Sequence, residues 1–204
     1  MGSRERIQRM KDENRMNILD AALQIVKEDG WQALSMRKIA DIIEYTAPMI
    51  YEYFPSKEAI LTELSAQGFR QLAKKMREAK MNHEQPEKQL EAMWLAYWDF
   101  AFEHKERYQL MFGVGMRACE AGADCEYSKT HADLVNDVIY EIMKEKAPSQ
   151  EVLCRKYYTF WSVIHGLISI NLVNIGLEDE DEQQQLNQQI LKDAIYGITR
   201  SLVD

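Results

Sequence analysis

Cysteine is scarce and odd in number, at Cys119, Cys125 and Cys154. That argues against a disulfide-stapled scaffold and predicts a chain at home in a reducing, cytoplasmic setting. Long apolar runs are missing as well. Nothing approaches the roughly 20 consecutive apolar residues of a membrane span, so no membrane partner is expected. Strand signals are nearly absent, which leaves an all-α fold. Basic charge is not in excess: 25 Lys and Arg face 33 Asp and Glu, a formal net charge of −8. Catalytic signatures are lacking too. No Gly-rich phosphate loop follows a strand, and neither a Gly-x-Ser-x-Gly elbow nor a His-Glu-x-x-His zinc helix appears, so the pattern does not point to an enzyme or a cofactor. The carboxylates Glu178 to Glu182 sit where the last helix should begin and are read as a solvated face complementing its dipole. Cys119, Cys125 and His131 supply three of the four ligands a tetrahedral zinc site wants, so no metal is expected. A redox role for Cys119 and Cys125 stays open.

What is present is helix, with 46% hydrophobic residues and enough length to bury a core. A first helix is predicted from about residue 12 to 29, its apolar stripe running through Ile18, Leu19, Ala22, Ile25 and Val26. Gly30 ends it, and Trp31 folds back as a hydrophobic contact. Longer helices follow at 56–80 and 86–103, with a shorter one through Tyr108, Leu110, Met111 and Phe112. Helices near 126–146, 149–175 and 182–202 bring the plan to nine. Charge is unevenly spread: residues 1–60 are close to neutral at −1, and the other 144 carry −7. Residues 1–15 form a modest positive arm, with Arg4, Arg6, Arg9, Lys11 and Arg15 against three acidic residues. Local field rather than total charge decides phosphate contact.

Residues 35–58 hold two short amphipathic helices around a tight turn, with a third starting directly after. Ser35 is a good N-cap, and Ile39, Ala40 and Ile43 give the first helix a buried face while Arg37 points outward. Thr46 stands at the next N-cap and Pro48 in the first turn, where a missing N–H costs little. Ile50 and Phe54 face inward. Thr46, Ala47, Met49, Tyr51 and Tyr53 are left for the outer side, the arrangement needed to read a DNA major groove. Ser56 and Glu58 cap and charge the start of the following helix.

This stretch resembles the helix-turn-helix of the TetR family of transcriptional regulators, and Tyr51-Glu52-Tyr53-Phe54-Pro55-Ser56-Lys57-Glu58 is similar to its Tyr-x-x-Phe-x-x-Lys-Glu pattern. The resemblance implies a nine-helix, two-domain protein with a DNA-binding head at 1–58 and a ligand-binding and dimerisation body at 59–204. It implies that the second short helix enters the major groove of a double-stranded operator. Tyr51 and Lys57 then contact phosphate, Ser35 and Arg37 lie against the backbone, and Thr46, Ala47, Pro48, Met49 and Tyr53 complete the DNA-contacting set. One departure stands out: the family's turn carries a small residue and Gly-Val, where this chain has Ile43-Glu44-Tyr45. Glu44 and Glu52 place carboxylates near the DNA face.

Further on, Trp94-Leu-Ala-Tyr97-Trp-Asp-Phe100-Ala101, Tyr108-x-x-Met111-Phe112 and Trp161-x-x-x-His165-Gly166 resemble the C-terminal domain type named for its Trp, His and Gly. The candidate pocket takes Trp94, Trp98 and Phe102 from one helix and Trp161, His165, Ile168 and Asn171 from another. Met111, Phe112 and Met116 join them from the connecting segment. Such side chains suit a small hydrophobic or aromatic effector held by one orienting hydrogen bond. Aromatic stripes at helical spacing also make ordinary core, and a lone histidine such as His165 is also often a satisfied core residue. Both readings stand at this point. Leu186, Ile190, Ala194, Gly197 and Ile198 on the last helix, with Val163, Leu167 and Ile170 on the one before, form stripes suited to a homodimeric four-helix bundle. The function implied is a homodimeric repressor released from its operator by the effector. A helical hydrophobic-ligand carrier that does not regulate DNA is the alternative.

Overall fold

The computed structural model describes residues 2–112, 126–172 and 180–203. Among these residues it holds nine α-helices and no strand: α1 (Ser3–Asp29), α2 (Met36–Ile42), α3 (Ala47–Tyr53), α4 (Lys57–Met81), α5 (Pro86–Glu103), α6 (Lys105–Phe112), α7 (Glu126–Met143), α8 (Gln150–Leu172) and α9 (Glu180–Val203). No helix among them is long and apolar enough to cross a membrane. The chain forms two compact units. One takes the chain up to Gln67 and the segment beginning at Glu106; the other takes Gly68–Lys105 and the helices α7, α8 and α9.

The first unit is built on the predicted stripe of α1. Ile18, Leu19, Ala22, Ile25 and Val26 are buried with Leu34, Ile39 and Ala40, Ile50 and Phe54, Ile60 and Leu64. Leu110 of α6 joins the same core, so a segment distant in sequence helps close it. The left-handed φ of +79° at Gly30 is open to glycine at little cost, and the Gly30 N–H still bonds the Val26 carbonyl at 2.9 Å. Trp31 packs partly buried against this core. The first helix is longer than its apolar stripe predicts, because it continues toward the N-terminus through residues 3–13 without a buried face.

In the second unit α5 packs on α7, α7 on α8, and α8 on α9. Trp94, Tyr97 and Phe100 of α5 are fully buried beside Val135 and Ile139 of α7 and Phe160, Ile164 and Ile168 of α8. Burying each of these side chains contributes about 1.5–3 kcal/mol. At the end of α9 the carbonyls that lack helical partners are met by two ammonium groups. Lys146 Nζ donates to the carbonyls of Leu202 and Val203 (3.2 and 2.8 Å), and Lys156 Nζ donates to the Ser201 carbonyl at 3.1 Å.

Polar groups are few in this core. His131 of α7 is 3% exposed, its ring stacked on Phe69 of α4 at 5.7 Å, and it shares a 3.1 Å hydrogen bond between Nε2 and the hydroxyl of Tyr157. Burial pushes the His131 pKa down from 6.5 to about 4 and pushes the Tyr157 hydroxyl up. The native imidazole is therefore neutral at pH 7. Between pH 6.5 and about 4 the unfolded chain binds the extra proton, so stability falls as pH falls through that window. The expected loss is ~3 kcal/mol, read as the fall in denaturation midpoint over a pH series, and His131→Gln should flatten that slope.

Candidate functional site

The motif of residues 35–58 forms as the sequence suggests, with local chemistry setting each boundary. Ser35 caps α2, its Oγ accepting from the Lys38 N–H at 3.2 Å. The Lys38 ammonium pairs with Asp29 of α1. The turn after α2 closes through the Tyr45 N–H to the Ala40 carbonyl at 2.9 Å, the six-to-one bond of a Schellman motif. Its C′ residue is Glu44, at φ +57°. Glycine takes that conformation freely, whereas a residue with a Cβ is strained there by about 1–2 kcal/mol.

Thr46 occupies the N-cap position of α3, but its hydroxyl makes no cap bond. The reason is local. Pro48 at the second helical position has no N–H to give, and the Met49 N–H bonds the Thr46 carbonyl instead, at 3.0 Å. Ile50 and Phe54 are buried beneath α3, at 0% and 1% exposure. Thr46, Pro48, Tyr51 and Glu52 are exposed on its outer side, and Ser35 and Arg37 are exposed on α2. Tyr51 stands 52% exposed. Met49 is half-buried, and Ala47 packs partly against the core.

Tyr53 turns toward α1 rather than outward. Asn14 donates to the Tyr53 hydroxyl and accepts from the Tyr45 hydroxyl, both at 2.9 Å, so one amide ties the residue before α3 and the residue at its end to α1. Arg15 adds a bond to the Tyr53 carbonyl at 3.2 Å and an ion pair with Glu63 at 3.2 Å. Its guanidinium also lies 4.2 Å over the Phe54 ring. Lys57 is half-buried, its ammonium 3.3 Å from the Trp31 carbonyl. Ser56 accepts from the Ala59 N–H at 3.3 Å, and backbone hydrogen bonding at the start of α4 lowers the Glu58 pKa.

In the second unit Trp94 is central. It stacks on Phe160 at 5.5 Å, meets Tyr97 edge-on at 5.5 Å and tilts against Tyr157 at 6.2 Å. Its indole N–H is buried with no acceptor among the described residues. Trp161 donates to the Tyr97 hydroxyl at 3.1 Å and stacks flat on His165 at 4.8 Å, where burial lowers the His165 pKa. Ile168 is fully buried. Trp98 and Phe102 pair at 4.7 Å toward the surface, with Phe102 41% exposed. Asn171 is engaged in an amide network, exchanging bonds with Asn187 of α9 at 3.2 and 2.6 Å, with Gln183 bridging both. Met111 and Phe112 belong to the other unit, and Met116 lies outside the described residues, as do Cys119 and Cys125. A surface groove of about 530 Å³ between Pro86, Glu141, Lys146 and Val203 shares no residue with the aromatic cluster.

On α8 and α9 the buried faces are Leu153, Tyr157, Phe160, Ile164 and Ile168, and Asn187, Leu191, Ile195 and Leu202. Val163 (41% exposed), Ile170 (48%), Leu186 (41%) and Ile190 (38%) stand outside them, and Gly197 is also exposed. Leu167, Ala194 and Ile198 are half-buried. No group of three His, Cys, Asp or Glu side chains among the described residues is placed to hold a metal ion.

Residues 18–64 match the family described as bacterial regulatory proteins, tetR family, and residues 90–193 match the tetracyclin repressor-like C-terminal domain. The chain belongs to the TetR family. Its C-terminal match covers the whole stretch from Trp94 to Gly166. The transcriptional repressor KstR of Mycolicibacterium smegmatis is 32% identical over 81 residues, which are 40% of this chain and 40% of that protein. The curated relatives it matches are all covered over less than half their length. Among solved structures, a protein of unknown function from Rhodococcus sp. RHA1 superposes with a TM-score of 0.78 at 21% identity, over 93% of this chain and 95% of that one. FadR of Thermus thermophilus, a TetR family repressor in complex with lauroyl-CoA, superposes at 0.56 with 18% identity over 88% and 94% of the two chains.

Within this TetR family chain, the turn departs from the usual glycine at Glu44, where its backbone takes a left-handed φ. Glu44→Gly should therefore raise head stability by about 0.5–1 kcal/mol, the relief of strain being partly offset by a more flexible unfolded chain. A rise in thermal midpoint with unchanged helical circular dichroism would show it, and a fall would mean that Glu44 is held by something other than the turn.

Proposed function

We propose that the protein is a ligand-responsive transcriptional regulator, a cytoplasmic homodimeric repressor that leaves its operator when a small hydrophobic or aromatic molecule binds. In this reading residues 1–58 are the DNA-binding domain and 59–204 the ligand-binding and dimerisation domain. The observation that carries it is α3 itself, a seven-residue helix anchored from beneath by Ile50 and Phe54 with Thr46, Pro48 and Tyr51 standing free outside. Thr46, Pro48 and Met49 would enter the major groove, while Ser35, Arg37, Tyr51 and Lys57 position the head on phosphate and Ala47 and Tyr53 seat the helix. Single heads touch few bases, so two-fold pairing with half-sites about 34–36 Å apart, or a multiple of that, is expected.

Support for the dimer comes from Val163, Ile170, Leu186 and Ile190, apolar side chains left exposed on two long neighbouring helices. Support for the effector comes from the aromatic cluster of Trp94, Trp161, His165 and Ile168, where the buried Trp94 N–H has no acceptor among the described residues. Trp98, Phe102 and Asn171 of the same unit complete the proposed lining. The lauroyl-CoA in complex with the Thermus FadR carries a hydrophobic acyl chain of that class. The release step needs an effector that favours the unbound state by ~5.5 kcal/mol to shift the population from about 1:99 to 99:1. A second reading, a hydrophobic-ligand protein without DNA binding, is favoured only by the exposed carboxylates Glu44 and Glu52.

Fluorescence anisotropy with DNA from the protein's own upstream region separates the two. The regulator should bind sequence-specifically and with steep salt dependence, and Tyr51→Ala should weaken it by at least tenfold. Binding to no upstream fragment at low salt would favour the carrier. For the pairing face, Ile170→Asp with Ile190→Asp should shift the molar mass by light scattering from dimer to monomer while the helical content stays unchanged.

A further inference from the structure

The head has a charge problem that its trihelical core does not solve. Residues 16–60 hold four basic and seven acidic side chains, a net of −3. Residues 1–15 hold five basic against three acidic, a net of +2. A unit that approaches DNA needs cations near phosphate, because counterion release supplies much of the affinity. Within residues 1–60 the surplus of positive charge is confined to the first fifteen.

Those residues are an unbroken part of α1. Where α1 meets α3, Asn14 bonds the hydroxyls of Tyr45 and Tyr53, one just before α3 and one at its end. The N-terminal part of α1 therefore leaves the core from the point where α1 meets α3, and residues 3–14 extend it by about 16 Å at 1.5 Å per residue. Its cations are not equivalent. Arg4 and Lys11 are eleven and four residues before Arg15, so at 3.6 residues per turn all three lie within about 40° of one another. Arg15 on that face already touches the Tyr53 carbonyl and Phe54. Arg4 and Lys11 thus continue the α3-facing side of the helix past the edge of the core. Both are exposed, and neither has an ion-pair partner among the described residues. Arg6 and Arg9 face the opposite way, and Arg9 is occupied by Glu13 at 3.6 Å.

We propose that the exposed N-terminal stretch of α1 is an additional DNA-backbone contact, with Arg4 and Lys11 reaching phosphates that flank the base pairs read by α3. This rests on the reading of the protein as a DNA-binding regulator. The contact is sequence-independent, so it adds affinity and salt dependence without changing which bases are preferred.

The test begins with a duplex selected by the full-length protein from a randomised 30-base-pair library. Anisotropy over a salt series then compares the parent, Arg4→Gln/Lys11→Gln and Arg6→Gln/Arg9→Gln, each checked for helical content by circular dichroism. Arg4→Gln/Lys11→Gln should flatten the slope of log K against log salt by about 4 for a dimer, at roughly 0.9 per lost contact. Its discrimination against single base substitutions should match the parent. Arg6→Gln/Arg9→Gln should keep the parent slope, and trimming the duplex flanks should abolish the parent's advantage over Arg4→Gln/Lys11→Gln. A parental slope in Arg4→Gln/Lys11→Gln, or equal flattening in both double variants, would overturn the assignment of this face. If the parent selects no duplex and shows no salt-dependent binding, the regulator reading fails first and the arm contact falls with it.

Discussion

A seven-residue helix cannot hold itself together in water, and that constraint organises the whole first unit. Isolated helices shorter than about 12–15 residues are marginal, so α3 owes its existence to what grips it. Ile50 and Phe54 bury its inner side, the turn at Glu44 fixes where it begins, and Asn14 and Arg15 of α1 hold both of its ends. Once the inner side is committed in this way, the outer one is left to Thr46, Pro48, Tyr51 and Glu52 by geometry alone. The surface that reads DNA in the proposed function is thus a by-product of the way the helix is anchored.

The second unit solves a different problem, that of keeping polar atoms inside an aromatic core. His131 and Tyr157 share a hydrogen bond, Tyr97 takes the Trp161 N–H, and Asn171, Asn187 and Gln183 pair their amides between α8 and α9. Buried polar groups with partners narrow the ways in which helices can pack, because any other register strands a donor or acceptor. Trp94 departs from this pattern, its buried donor having no acceptor among the described residues, as do the buried side-chain oxygens of Asn136 and Thr199. Outside this core, the apolar residues of α8 and α9 that the amide network does not use face solvent in the single chain.

How much was legible in the sequence follows from the range of the interactions involved. Ser35, Gly30, Ser56 and the buried pair Ile50 and Phe54 were readable because caps, turns and helical spacing act within a few residues. The path of Tyr53 was not, since its partner Asn14 lies 39 residues away. Trp94, Trp98 and Phe102 looked like one stripe, yet each four-residue step advances about 40° around the helix. Over eight residues that drift carries the series from full burial to a half-exposed ring. Asn171 resembled an orienting group for a ligand, and its amide partners Asn187 and Gln183 on another helix were not visible in the sequence. The allegiance of α6 to the first unit and the continuation of α1 through residues 3–13 were also hidden. The first is set by a long-range contact of Leu110, and the second leaves no buried stripe to be recognised.

The flat stack of Trp161 on His165 has an optical consequence. An indole that lies against an imidazole loses emission when the imidazole becomes charged, and Trp161 also shares its N–H with the Tyr97 hydroxyl. Any molecule that wedges between these rings, or pulls the indole from its acceptor, must change the colour or brightness of the protein's own fluorescence. The chain thereby reports on the state of its aromatic cluster without a label, and a collection of small molecules could be surveyed by light alone, without any DNA.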